Sequence, residues 1–243
     1  MRWRRRAITV VLVVGLLVAA ACESADRYAR RVPQGVSHGH PLTFFTFGGL
    51  ARRGQPEGAK PIALTFDDGP GRNTPAILDT LEREHVPATF FMVGREVRGR
   101  EATVARILAD GDRIGAHSWD HANLRHVHGQ DLVNEVEWPL NVLGPLMPAG
   151  DPITCLRPPF GNSNDEVRTV LADHGLAEAH WSVDPEDWRN PGADAVVDRV
   201  LRHAFAGAVV LMHDGGDHRG TVDALPRIIS WLKAAGYSFV SLC

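Results

Sequence analysis

No tract of lysine and arginine lies beyond the first six residues of this 243-residue chain, and the formal net charge is -3. That balance argues against a nucleic-acid partner. Neither His-Glu-x-x-His nor a Gly-rich phosphate loop occurs, which removes support for a protease or phosphatase built on those motifs. Internal repeats and long low-complexity segments are absent. Cysteine is scarce, at three residues. What is present is a 44% hydrophobic composition, enough for a proper core in one large domain or two small ones.

The chain has one conspicuous apolar run, Ala7 to Ala21, preceded by Arg2, Arg4, Arg5 and Arg6 and followed by Cys22. At 15 residues it is shorter than the ~20 that span a bilayer comfortably, so residues 1–21 read as an export signal. Ala19-Ala20-Ala21-Cys22 resembles a bacterial lipobox, with Ala19 where leucine is usual. Lipidation of Cys22, ordinary cleavage and a retained anchor are the alternatives, and all three place the rest of the chain outside the cytoplasm. Removal of the four arginines takes the formal charge to -7. Cys155 and Cys243 then remain, and spacing leaves open both a disulfide and two separate thiols.

Residues 22–59 are rich in Gly, Arg, Ser and Pro around one apolar island, and read as a tether or N-terminal wrap. His38 and His40 form a His-x-His pair there, read as incidental. From residue 60 to 243, short apolar runs alternate with amphipathic stretches. Strands are expected at Ile62–Phe66, Ala88–Val93, Arg113–Ala116, Thr154–Arg157, Ala179–Val183, Ala208–Met212 and Ser238–Leu242. Helices are expected at Thr74–Glu84, Arg100–Asp110, Asp131–Leu143, Asn164–His174, Ala193–Ala204 and Val222–Ala235. The alternation predicts an α/β fold, a distorted (β/α) barrel of about seven parallel strands whose functional groups sit where strands end.

Five clusters fall at such ends. Asp67 and Asp68 follow the first strand, ahead of Gly69-Pro70, as either a solvated turn or a charged pair awaiting a counter-charge. His117 and His121 in "HSWDH" have an i,i+4 spacing that on one helical turn aims both imidazoles the same way, toward a divalent ion. Two histidines and a carboxylate, with Asp68 the natural third ligand, leave coordination positions open, as in catalytic sites. Arg157 in "RPPFG" is either a surface arginine on a rigid loop or a fixed counter-charge that holds a nearby carboxylate. "WSVDPEDW", Trp181 to Trp188, joins acids to two tryptophans, and "LMHDGG" ends a strand in His213 and Asp214.

Together "TFDDGP", "HSWDH", "RPPFG", "DPEDW" and "LMH" resemble, in order, the motifs of the NodB-type polysaccharide deacetylases, carbohydrate esterase family 4. The likeness runs from about Lys60 to Leu242. It implies a distorted (β/α) barrel and metal-dependent removal of acetyl groups from an acetylated polysaccharide, most often from N-acetylglucosamine units. Asp68, His117 and His121 would hold one divalent ion, zinc or cobalt. Asp67 would be the general base, oriented by Arg157, and His213 the general acid, oriented by Asp187. Phe160, Trp188 and Leu211 would contact substrate, with a backbone N–H near Phe160 facing the oxyanion, and Asp184 could assist. Asp112, Arg113 and Ala116 depart from common family residues beside the ligands, where they bear on tuning. An O-acetyl xylan esterase of the same family and a non-catalytic glycan-binding protein are the rival readings.

Overall fold

Parallel strands covered on both faces need continuous apolar runs, and the chain supplies them in order. The computed structural model describes residues 58–243. β1 (Lys60–Gly69), β2 (Thr89–Met92), β3 (Arg113–Ala116), β4 (Cys155–Leu156) and β5 (Ala177–Glu178) lie side by side in chain order, all parallel. β6 (Ala208–His213) pairs with β1 over Ile62–Asp67, and β7 (Tyr237–Phe239) pairs with the start of β1 at Lys60–Ile62. Seven parallel strands are therefore present, the expected number and direction.

The ring closes after β5. Val183 bridges Val210, with the Val183 N–H donating to Val209 at 3.0 Å and the Leu211 N–H donating to Val183 at 2.9 Å. This corrects the expected strand Ala179–Val183: the segment leaves β4 to reach β6, so it is paired at its two ends instead of running as one strand.

Among the described residues seven α-helices connect the strands: α1 (Thr74–Glu84), α2 (Gly94–Val97), α3 (Glu101–Ala109), α4 (Gly129–Leu143), α5 (Asp165–Asp173), α6 (Ala193–His203) and α7 (Arg219–Ala234). Each expected helix appears, Thr74–Glu84 with the expected ends and the others with ends moved by one to three residues. α2 was not anticipated, because four residues are too few to show a period. Ile77, Leu78 and Leu81 of α1, Val104 and Ile107 of α3, and Leu225, Ile228, Ile229 and Leu232 of α7 pack in one core with Ile62, Leu64 and Phe66 of β1. Burial of each large apolar side chain contributes roughly 1.5–3 kcal/mol.

Cys155 and Cys243 are joined in a disulfide, Cα atoms 5.8 Å apart. The last residues are further held by Thr89, whose Oγ1 accepts from the Leu242 N–H at 2.7 Å. Among the described residues no helix is long and apolar enough to cross a membrane. The export signal, Cys22, His38 and His40 lie outside the described residues.

Candidate active site

Because the strands are parallel, their C-terminal ends share one rim, and the five clusters meet there. β1 runs further than expected, so that Asp67 and Asp68 belong to it, and Asp67 is in register with His213 of β6. Regular alternation would send the two carboxylates to opposite faces. Instead, pairing with β2 slips between Asp67 and Gly69, and Asp68 takes φ 71°. Both acids then reach His117 Nε2, Asp67 Oδ2 at 3.7 Å and Asp68 Oδ1 at 3.4 Å.

The expected helical turn at His117–His121 is not formed. Residues 117–121 are a loop in which Ser118 (φ 61°) and His121 (φ 67°) adopt left-handed backbone. Side chains hold that shape: Ser118 Oγ accepts from the His121 N–H at 3.0 Å, and Glu135 Oε2 of α4 accepts from the N–H groups of Trp119 and Asp120 at 2.9 and 3.3 Å. The imidazoles still converge, with ring centroids 5.1 Å apart.

Asp68, His117 and His121 offer ligand atoms within 4.8 Å of one another. The His117 Nδ1–H donates to the Arg157 carbonyl at 2.7 Å, which leaves the Nε2 lone pair facing the cluster. Asp68 Oδ1 is buried, 3.1 Å from His121 Nε2, and has no hydrogen-bond partner. Burial opposes its charge, but the two facing imidazoles outweigh this and hold the carboxyl well below the usual range. An orphaned carboxylate oxygen between two imidazole nitrogens fits a divalent cation.

On one flank Arg157, wholly buried, donates from Nη1 to Asp67 Oδ1 at 2.6 Å and to Thr65 Oγ1 at 2.9 Å, and from Nη2 to the His180 carbonyl at 3.1 Å. The Phe91 ring lies 4.0 Å from the guanidinium. Burial pulls the Arg157 pKa down, and the charge and hydrogen bond of Asp67 oppose that pull, so the guanidinium and the carboxylate hold each other in charged form. On the other flank Asp187 Oδ1 is 2.7 Å from His213 Nδ1, while its Oδ2 accepts from the His213 N–H at 2.8 Å and from Thr221 Oγ1 at 2.6 Å. Burial works against a charged His213, but the hydrogen bond and charge of Asp187, then the charges of Asp67 and Asp68, push it up to about 9. Its Nε2 is therefore a proton donor near neutrality.

Phe160 (φ 61°) is 61% exposed, its ring edge-on to His121 with centroids 4.6 Å apart. Trp188 is also exposed, with the Arg189 guanidinium over its ring, whereas Leu211 is buried in β6 opposite Thr65. Trp181 is half-buried beneath Arg157 and Gly161, and packs structurally. Asp184 is exposed and accepts from the Glu186 N–H, closing a turn. Sequence reading missed Thr65, Ser118, Glu135 and Thr221. It also gave no role to Asp214, whose buried carboxyl is pushed up to about 7 by burial and accepts from Thr74 Oγ1 at 2.5 Å.

The model of the family described as polysaccharide deacetylase matches residues 54–179. The peptidoglycan-N-acetylglucosamine deacetylase PgdA of Listeria monocytogenes is 41% identical over 75% of this chain, which spans 38% of that protein's length. A chitooligosaccharide deacetylase of Sinorhizobium fredii is 36% identical, covering 76% of this chain and 91% of that one. The crystal structure of the Bc1960 peptidoglycan N-acetylglucosamine deacetylase is 36% identical and superimposes with a TM-score of 0.73 over 77% of this chain and 88% of that one. With its seven-stranded barrel and its ordered site motifs, the chain belongs to the polysaccharide deacetylase family.

Proposed function

We propose that this chain is a metal-dependent hydrolase that removes N-acetyl groups from N-acetylglucosamine units of peptidoglycan or a chitin-like glycan, releasing acetate. The carrying observation is the placement of a buried Asp67–Arg157 pair and a part-buried His213–Asp187 pair on either side of the Asp68, His117 and His121 cluster. The deacetylase activities of the relatives support the same reaction, and those that act on peptidoglycan support an action outside the cytoplasm. Zinc or cobalt suits the donor set. An N-terminal export signal, with lipidation at Cys22 as the tether, completes the reading.

Asp68, His117 and His121 would hold the ion, which when bound polarises a carbonyl and makes water more acidic. Arg157 occupies Asp67 Oδ1, so Asp67 Oδ2 is left to take a proton from the water that attacks the acetyl carbon. Charge then develops on the carbonyl oxygen, and a backbone N–H near Phe160 would face it. His213, protonated and fixed by Asp187, gives its Nε2 proton to the sugar nitrogen as the C–N bond breaks. Acetate and the free amine leave. Phe160, Trp188 and Leu211 border the acetylated sugar.

Acetate release from the metal-stripped protein, reloaded with zinc or cobalt, tests this on N-acetylglucosamine oligomers, peptidoglycan and acetylated xylan. Metal-dependent acetate from either of the first two is the expected result. Release from xylan alone would make it an O-acetyl esterase, and glycan binding without acetate would make it a binding protein.

A further inference from the structure

A cleft of 520 Å³ extends from the Asp68 and His121 edge of the site, and Arg72, Arg95, Glu96 and Arg100 line it further out. Three arginines there run against the background, because from Gly58 onward the chain has 17 Lys and Arg against 26 Asp and Glu. Apart from Asp68, which faces His117 and His121, the cleft lining sets three guanidinium groups against the one carboxylate of Glu96. Glu96 is shared, 3.4 Å from Arg95 Nε and 2.9 Å from Arg100 Nη1. Among the described residues Arg72 reaches Asp217 alone, at 3.8 Å with both side chains more than 70% exposed, a geometry of little energetic weight. Arg95 and Arg100 are themselves about half open to water, so a ligand can reach them.

We infer that this arm of the cleft binds a carboxylate carried by the glycan, so that the preferred substrate is an acidic one such as peptidoglycan over a neutral chitin-like polymer. The inference rests on the deacetylase reading, since the cleft opens from that site. Guanidinium groups grip carboxylates through paired N–H donors. The cleft also concentrates positive charge where an acidic domain would otherwise repel an anionic polymer. In peptidoglycan the carboxylate has two sources, the lactyl ether on the neighbouring sugar and the attached peptide, and the chemistry of recognition is the same for both.

The test compares wild-type protein with Arg95→Gln/Arg100→Gln and, separately, with Arg72→Gln at its exposed position. Substrates are neutral N-acetylglucosamine oligomers, peptide-stripped peptidoglycan strands that keep lactyl carboxylates, and strands with peptides. The double variant should lower the preference for acidic over neutral substrate, as a ratio of kcat/KM, by about tenfold, or about 1.4 kcal/mol, through KM. Arg72→Gln should lower it less. An effect on stripped strands assigns the lactyl carboxylate, and an effect only on intact strands assigns the peptide; both support the arm. Equal losses on neutral and acidic substrates, or none, would overturn it. Calorimetric binding of the acidic strands to wild type and variant is measured beside turnover. Loss of binding in the variant with no acetate from any substrate would leave the anion site standing and sink the deacetylase reading instead.

Discussion

Arg157 Nη1 lies 2.6 Å from Asp67 Oδ1 at a point where the arginine has no exposure and the aspartate 3%. Neither charge has water to fall back on, so each depends on the other. Arg157→Met should cost about 3–5 kcal/mol in urea unfolding, the range for stranding one partner of a buried pair, and should abolish acetate release. Arg157→Lys should not rescue turnover, because an ammonium cannot serve Asp67, Thr65 and the His180 carbonyl in one plane. Unchanged stability of the methionine variant would refute the pairing.

How far the site was legible depends on which forces write themselves into local sequence. Strand ends with Asp67, Arg157 and His213 were visible because apolar runs stop abruptly at charged residues. Asp68 and His121 could be named but not placed, since a register slip and a left-handed φ at each leave no periodic trace. Glu135 lies on an amphipathic helix like any other, and its role comes from a loop 15 and 16 residues earlier in the chain. Thr65 and Thr221 read as ordinary strand and helix residues until Arg157 and Asp187 arrive beside them. The closure at Val183 was mistaken for a strand because apolarity reports burial and says nothing of which neighbour is paired.

The separate duties proposed for ligands and acid predict separate phenotypes. His117→Ala should lose both the ion and activity, as judged by calorimetric metal titration and acetate release. His213→Ala should keep the affinity for metal and lose turnover by 10²–10⁴-fold, the usual scale for a general acid. Equal loss of metal in the two variants would contradict the division.

Gly215 tests how tightly the ligand strand is packed. A Cβ there would lie 2.5 Å from both the carbonyl carbon and the Cβ of Asp68, against backbone that cannot rotate away. Gly215→Ala should therefore destabilise by about 1–3 kcal/mol, as overpacking does, and weaken metal binding through displacement of Asp68. A variant with native metal affinity would show that β1 yields freely at this point.

The disulfide closes a separation of 88 residues, and constraint of so long a loop in the unfolded chain contributes on the order of 2–5 kcal/mol. Cys243→Ser should lower the urea midpoint accordingly, and reduction of the wild type should reproduce the effect. A midpoint insensitive to both would mean that the final residues hold without the bond.

Asp187 sets the pH at which His213 gives up its proton. The folded-state value of about 9 lies above the ordinary 6.5, so the protonated donor persists through neutrality and activity should fall only as pH rises through about 9. Asp187→Asn removes the hydrogen-bonded charge, leaving burial to act against the imidazolium, so the alkaline limb of kcat/KM should move to lower pH. The same pair contributes stability fully below pH 6.5 and loses it as pH rises through about 9. The stability gap between wild type and Asp187→Asn should narrow over that window. An alkaline limb at the same pH in both proteins would mean that some other group delivers the proton.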